Sequence, residues 1–259
     1  MKIVLASALA AGLALAGGAN AQTIKVGATP GPHAQVLEAV KPIAKKAGLD
    51  IQIVEFSDYV VPNQALASGE IDANSFQHQP YLDNQVKDRG YKIESVAKTM
   101  VFPLGFYSKK IKSVADLKPG DSVAIQNDPT NGGRALLLLE ANKLIKLKPG
   151  VGLKPTILDI VDNPKNLKFI ELDAAQLPRS LDDVALASIN TNYAVSAGLD
   201  PSKDAIVRES AESPYTNVIA VQSARKNEPW VQKFIAAYRS PEVKDFVQKT
   251  FKGSVITDW

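Results

Sequence analysis

Thr23-Ile24-Lys25-Val26-Gly27-Ala28-Thr29-Pro30-Gly31-Pro32 decides the fold class. The first six residues read as a strand, and the last four as a loop that opens a helix. Beyond them Val36, Leu37, Val40, Ile43, Ala44 and Ala47 recur at helical spacing, and Gly48 closes the run. Strand, turn and helix in that order are the building unit of α/β sheets. Pro42 falls inside the helical pattern, where a kink or a lost hydrogen bond is expected.

The same alternation continues along the chain. Ile51 to Phe56 reads as a strand, and Val61 to Ser68 as a short helix with Gly69 as its C-cap. Ile71 to Ala73 is a short buried strand, Tyr81 to Arg89 a helix, and Tyr91 to Thr99 extended. A second cycle opens at Phe102–Tyr107. Ser113-Val114-Ala115-Asp116 resembles a capping box. Ser122 to Gln126 is a strand, Asn127 to Gly133 a polar loop, and the next helix is expected to start at Arg134. Leu167–Leu172, Val184–Asn190, Ala205–Ser210 and Asn217–Gln222 are extended. Ala174–Leu181 and Thr191–Ala197 are helical, and Pro229–Tyr238 and Pro241–Phe251 are amphipathic helices.

This order predicts α/β lobes with mixed, mostly parallel sheets flanked by helices. Two extended stretches, near 100–105 and 211–217, read as crossings between lobes. Residues 22–103 with 218–259 then form one lobe, and residues 104–217 form an inserted second lobe. A single larger α/β domain is the alternative.

The N-terminus reads as a leader. Lys2 supplies a positive start, Ile3 to Ala16 an apolar run, and Ala19-Asn20-Ala21 the small residues at which cleavage is expected. The expected mature chain starts at Gln22, with about 238 residues, enough for two lobes. No other apolar run reaches the length of a membrane helix, so no membrane insertion is expected.

The sequence has no cysteine and a formal net charge of +3. The missing thiol excludes disulfides, cysteine nucleophiles, thiolate metal sites and a lipid anchor built on cysteine. The charge is too small and too scattered for nucleic acid. The lysine runs at 45–46, 109–112 and 143–148 read as solvated surface.

Catalytic signals are weak. There are two histidines, no G-x-S-x-G, no H-E-x-x-H and no phosphate-binding loop. His33 and His78 lack an acidic cluster at ligand spacing, and Asp72, Asp83 and Asp88 match no calcium loop. No cofactor or metal is expected. An exported hydrolase using His78 is the residual enzymatic reading.

Binding signals are stronger, because ligands of open α/β sheets sit beyond strand C-termini. Asn74-Ser75-Phe76-Gln77-His78-Gln79-Pro80-Tyr81, read as a loop, carries two aromatic rings and an imidazole. It is either a pocket wall or a satellite cluster under the loop. Asn131-Gly132-Gly133-Arg134 joins two glycines to a guanidinium at a helix start, a recipe for an anion site. Solvation, or a pairing with Asp128, is the ordinary alternative for Arg134. Asn190 and Asn217 each flank an extended run and offer both donor and acceptor; cap or turn duty is the other reading.

Six blocks in order carry a resemblance. They are Asp58-Tyr59-Val60-Val61-Pro62-Asn63, Asp72 to Leu82, Asn127 to Arg134, Gln176 to Leu181, Ile189 to Ala194, and Glu212 to Asn217. Together they resemble the NlpA-type methionine-binding proteins of bacterial ABC importers, over essentially the whole mature chain. The resemblance implies a two-lobed periplasmic binding protein, type II-like, that closes on methionine. It implies a side-chain pocket walled by Tyr59, Phe76, His78 and Tyr81, a carboxylate held by Arg134, and a head group bound by Asn190 and Asn217, with Asn192 a neighbour. It also implies an ABC importer permease with its ATPase as partner, and no chemistry on the ligand. A monomer is expected. Many relatives carry a lipid-modified cysteine after the leader, where this chain has Ala21-Gln22; a freely diffusing periplasmic protein is therefore expected. A methionyl dipeptide, another apolar amino acid and a preference for one methionine enantiomer are alternatives for the ligand.

Overall fold

Short apolar runs separated by helical stretches give two β-sheets with helices against their faces. The computed structural model describes residues 22–259; the expected leader and its cleavage site lie outside the described residues. The chain begins with β1 (Gln22–Ala28), α1 (Pro32–Lys46), β2 (Leu49–Glu55), α2 (Val61–Ser68), β3 (Ala73–His78), α3 (Gln79–Arg89) and β4 (Ile93–Val101). It continues through β5 (Gly105–Tyr107), β6 (Ser122–Gln126), α4 (Pro129–Ala141) and the small pair β7 (Lys146–Leu147) and β8 (Ile160–Asp162). Next come β9 (Lys168–Leu172), α5 (Leu177–Ser180), β10 (Leu186–Ile189), α6 (Thr191–Ser196) and β11 (Val207–Arg208). The last elements are β12 (Thr216–Gln222), α7 (Pro229–Tyr238), α8 (Pro241–Phe251) and β13 (Ile256–Thr257).

The two main sheets share one strand order. The first runs β2-β1-β3-β12-β4 with β13 added at the edge, and the second runs β9-β6-β10-β5-β11. In each, the first three strands are parallel and the fourth is antiparallel to both of its neighbours. That fourth strand, β12 or β5, is the one that has just crossed from the other lobe. The topology of one sheet thus repeats in the other.

Each lobe has its own core. In the first, Val36, Leu37 and Val40 of α1 meet Ile24 and Val26 of β1, together with Trp230, Phe234 and Tyr238 of α7. In the second, Phe106, Val123 and Ile125 of the sheet meet Leu136 and Leu139 of α4. Burial of these side chains is the main stabilising term, about 1.5–3 kcal/mol for each large one. Pro42 does not end α1, which runs on to Lys46. Pro42 and Glu38 both lie on the exposed side, so the carbonyl deprived of its N–H donor faces water.

Two expectations fail in instructive ways. The Asn74–Tyr81 segment is not a loop: β3 runs to His78, and α3 starts at Gln79. β3 lies between β1 and β12 and all six of its residues are buried, so no polar–apolar alternation marks it. Its polar side chains are satisfied internally. Asn63 donates to Gln77 Oε1 at 2.7 Å, Gln77 donates to Asn74 Oδ1 at 2.9 Å, and Ser75 and Tyr238 share a hydrogen bond of 3.1 Å. Likewise α4 starts at Pro129 rather than Arg134, capped by the Asp128 carboxylate, which accepts from the N–H groups of Thr130 and Asn131. β7, β8 and β13 have no counterpart in the sequence reading.

Candidate functional site

The cleft lies where the strand C-termini of the two sheets face one another, as open α/β sheets require. After β1 comes His33, after β2 Tyr59, and at the end of β3 stand Phe76, Gln77 and His78, with Tyr81 in the first turn of α3. From the second sheet, β6 leads to Asn131 and Arg134 on α4, and β10 leads to Asn190, Thr191 and Asn192. Phe102 and Asn217 come from the two crossings. These thirteen side chains line one narrow cavity between them, the concave, part-aromatic and part-polar kind of surface that small-molecule sites use. All seven residues singled out from the sequence line it: Tyr59, Phe76, His78, Tyr81, Arg134, Asn190 and Asn217.

One side of the cavity is an aromatic wall. Ring centroids of Tyr59 and Phe76 are 5.9 Å apart, those of Phe76 and Tyr81 6.3 Å, and those of His78 and Tyr81 6.1 Å. The Tyr81 hydroxyl donates to the Tyr59 carbonyl at 2.9 Å, tying the wall together. Burial raises the Tyr59 phenol well above its usual range, so it is a neutral donor.

His78 has a defined tautomer. Its Nδ1 accepts the N–H of Tyr81 at 3.1 Å, as the cap of α3. Nδ1 is therefore unprotonated, and Nε2–H donates to Asn131 Oδ1 at 3.2 Å in the other lobe. Burial, and then the positive charge of Arg134, depress its pKa to about 3. With one nitrogen capping and the other protonated, no lone pair is left for general-base catalysis.

The opposite side is a network of amides. Gln126 donates to Asn190 Oδ1 at 2.8 Å, Asn190 donates to Asn131 Oδ1 at 2.9 Å, and Asn131 donates to Asp128 at 2.8 Å. Asn217 lines the cavity without a side-chain hydrogen bond among the described residues. Arg134, 3% exposed, donates from Nε and Nη2 to the Glu209 carboxylate at 2.8 and 2.5 Å. Nη2 also reaches the Phe102 carbonyl at 2.9 Å, and the guanidinium lies 4.3 Å from the Tyr215 ring centre. Nη1 has no protein partner among the described residues.

Gly132 and Gly133 have a different role from the anion cradle suggested by the sequence. Both sit inside α4. A Cβ on Gly132 would fall 2.5 Å from the Gln126 carbonyl oxygen, and one on Gly133 would fall 2.8 Å from Lys154 Cα. Gly132 lets the helix pack close against the end of β6, and Gly133 lets the Leu153–Pro155 segment pack close against the helix; together they hold α4 where Arg134 points inward. The N–H groups at the helix start belong to Asp128, leaving the guanidinium as the charged donor.

Sequence reasoning missed five lining residues: His33, Gln77, Phe102, Asn131 and Thr191. The His33 ring stacks on Phe102 with centroids 4.2 Å apart, its Nδ1 has no partner, and burial lowers its pKa to about 3. The rule that strand ends face the cleft, applied to the Thr29–Pro32 loop, would have found it.

The lobes are closed over this cavity. The Tyr59 hydroxyl donates to Asn192 Oδ1 at 2.6 Å, and Asn192 donates to Thr29 Oγ1 at 3.3 Å. Tyr193 donates to the Ser57 carbonyl at 3.0 Å, and Lys154 to Asn84 Oδ1 at 2.8 Å. Among the described residues no group of three His, Cys, Asp or Glu side chains could hold a metal ion, and no helix is long and apolar enough to cross a membrane.

Residues 24–259 match the model of the NlpA lipoprotein family. The chain belongs to the NlpA lipoprotein family. Its relatives in that family include the D-methionine-binding lipoprotein MetQ of Salmonella typhimurium, 55% identical, with 97% of this chain and 96% of the relative covered. The protein of that name from Escherichia coli K12 is 56% identical, with 91% and 88% covered. A nutrient-binding protein from Burkholderia cenocepacia, solved bound to methionine, is 57% identical with a TM-score of 0.89, covering 91% of this chain and all of that one. Its NlpA relatives are two-lobed binding proteins rather than enzymes. They also correct one expectation. Free diffusion in the periplasm was inferred from the lack of cysteine, whereas the relatives are lipoproteins by name, and a lipoprotein is held at a membrane by its lipid.

Proposed function

We propose that this chain captures methionine in the interlobe cavity and delivers it to an ABC importer, a permease with its ATPase. The observation that carries the reading is the convergence of an aromatic wall, a buried guanidinium and an unpartnered asparagine amide on one cavity closed by both lobes. Residues 22–103 with 218–259 act as one lobe and residues 104–217 as the other, in a monomer. Tyr59, Phe76, His78 and Tyr81 receive the thioether, which favours aromatic edges by about 0.3–1.5 kcal/mol per contact. Arg134, through Nη1, receives the carboxylate, and Asn190 and Asn217 the rest of the head group. A buried zwitterion needs both charges met, because an unpaired one costs several kcal/mol. Ligand contacts drawn from both lobes exist only on closure, so binding shifts the lobes toward the closed state. The methionine seen in the Burkholderia cenocepacia neighbour supports this ligand class, and the relatives' names make the D-enantiomer part of the question.

A methionyl dipeptide is the second reading. An outer cleft of about 350 Å³ shares Tyr59 and Tyr81 with the inner cavity. A longer ligand would have to part Tyr59 from Asn192 to reach it. Calorimetry on protein stripped of ligand, with L-methionine, D-methionine and glycyl-methionine, tests both. Heat with either free amino acid and none with the dipeptide supports the first reading; flat traces with all three overturn both.

A further inference from the structure

The cavity has one formal charge and no acid. Arg134 lines it among amides, hydroxyls and rings, and no carboxylate does. A zwitterion brings an ammonium along with its carboxylate. Beside a lone guanidinium in a site of low dielectric, that ammonium would be repelled.

Glu209 supplies the compensation from behind. Its two oxygens take Nε and Nη2 of Arg134 at 2.8 and 2.5 Å, and one of them also accepts the Leu104 N–H at 2.9 Å. Leu104 lies at the first crossing and Glu209 just before the second, so the backbone beside the joints of the lobes fixes this carboxylate. The ion pair leaves the guanidinium's Nη1 end as its free donor, and it brings the net charge of the pair to zero. The next acid, Asp128, is engaged with the N–H groups of α4 and with Asn131.

We propose that Glu209 determines specificity by charge: paired with Arg134, it makes the cavity neutral, so that the site takes a zwitterionic amino acid in preference to the same molecule without its ammonium. This rests on the reading that Arg134 meets the ligand carboxylate. A neutral site matches a neutral zwitterion, whereas a site carrying a whole positive charge would favour a simple anion. Glu209 does not touch the ligand; it is a positioning and charge-balancing residue.

The test compares methionine with its desamino analogue, methylthiobutanoate, by calorimetry on stripped protein at one pH and salt concentration. Wild-type protein is expected to prefer methionine by about tenfold or more. Glu209→Gln keeps the size of the side chain and an acceptor for Leu104 N–H, and removes the charge. It is expected to move the ratio of the two dissociation constants by about fivefold or more toward the desamino acid. Glu209→Asp, which restores the charge, is expected to return the ratio toward wild type even if both affinities fall. A merely structural role would weaken both ligands in proportion, so a ratio moved by less than about fivefold in Glu209→Gln overturns the proposal. Equal binding of the two ligands by wild-type protein overturns it as well, whether or not the variant folds. Methionine binding with an unmoved ratio fails this inference alone; no methionine binding by wild type fails the functional reading beneath it.

Discussion

Tyr59 and Asn192 meet across the cleft, the phenol of one lobe donating to the amide oxygen of the other at 2.6 Å. Both line the cavity, so the contact that holds the lobes together also forms part of the site's wall. Tyr193 reinforces it, with its ring centroid 5.0 Å from that of Tyr59 and its hydroxyl on the Ser57 carbonyl. Closure and enclosure are one structural event.

Tyr59→Phe keeps the ring and removes the bond. The closed state should lose about 0.5–1.5 kcal/mol. In stopped-flow measurements methionine should dissociate severalfold faster with little change in association, since the bond forms only after encounter. An unchanged dissociation rate would detach this contact from closure.

Arg134→Ala should weaken methionine binding by about 2–5 kcal/mol, because the carboxylate loses its charged partner. The variant also strands Glu209, so its melting temperature should fall. A binding loss under about 1 kcal/mol in calorimetry would place the ligand carboxylate elsewhere.

Stability should depend on pH through the two buried histidines. Folded His33 and His78 have pKa values near 3, below the ordinary value of about 6.5 for the unfolded chain. Between those values the unfolded chain binds more protons, so stability rises with pH across the window. It is fully present above about pH 6.5 and is lost as pH falls toward 3. Thermal melts should be flat from pH 7 to 8 and fall steadily below pH 6. His33→Asn should reduce that slope, and an unchanged slope would show that His33 does not contribute to it.

Gly132→Ala should destabilise by about 1–3 kcal/mol. Its Cβ would meet the Gln126 carbonyl, a main-chain atom that cannot rotate away. Denaturant melts should show the loss, and the shifted α4 should weaken ligand binding through Arg134. A neutral result would mean that α4 can lift from β6 without cost.

The parts of the fold legible in the sequence were those with a local cause. α7 and α8 follow from their apolar stripes, α2 from its run ending at Gly69, and β6 from Ser122 to Gln126. β3 was half read, because its environment comes from strands far away in sequence: β12 covers one edge and β1 the other, and Asn63 satisfies Gln77 from another element. α4 was started late because Asp128-Pro129 is as good a loop signal as it is a helix start. The candidate site was legible where chemistry was dense, as around Phe76 and His78. It was illegible where a residue matters through its fold position, as His33 does through its stacking on Phe102, or Glu209 through its grip on Arg134.

β12 sits between β3 and β4, and among the described residues β4 has no other strand partners than β12 and β13. Until β12 is in place, the first lobe's sheet is therefore divided into β2-β1-β3 on one side and β4 on the other. The inserted lobe has all its strands between Gly105 and Arg208 and can assemble ahead of it. The half that is synthesised first is the half that must finish last.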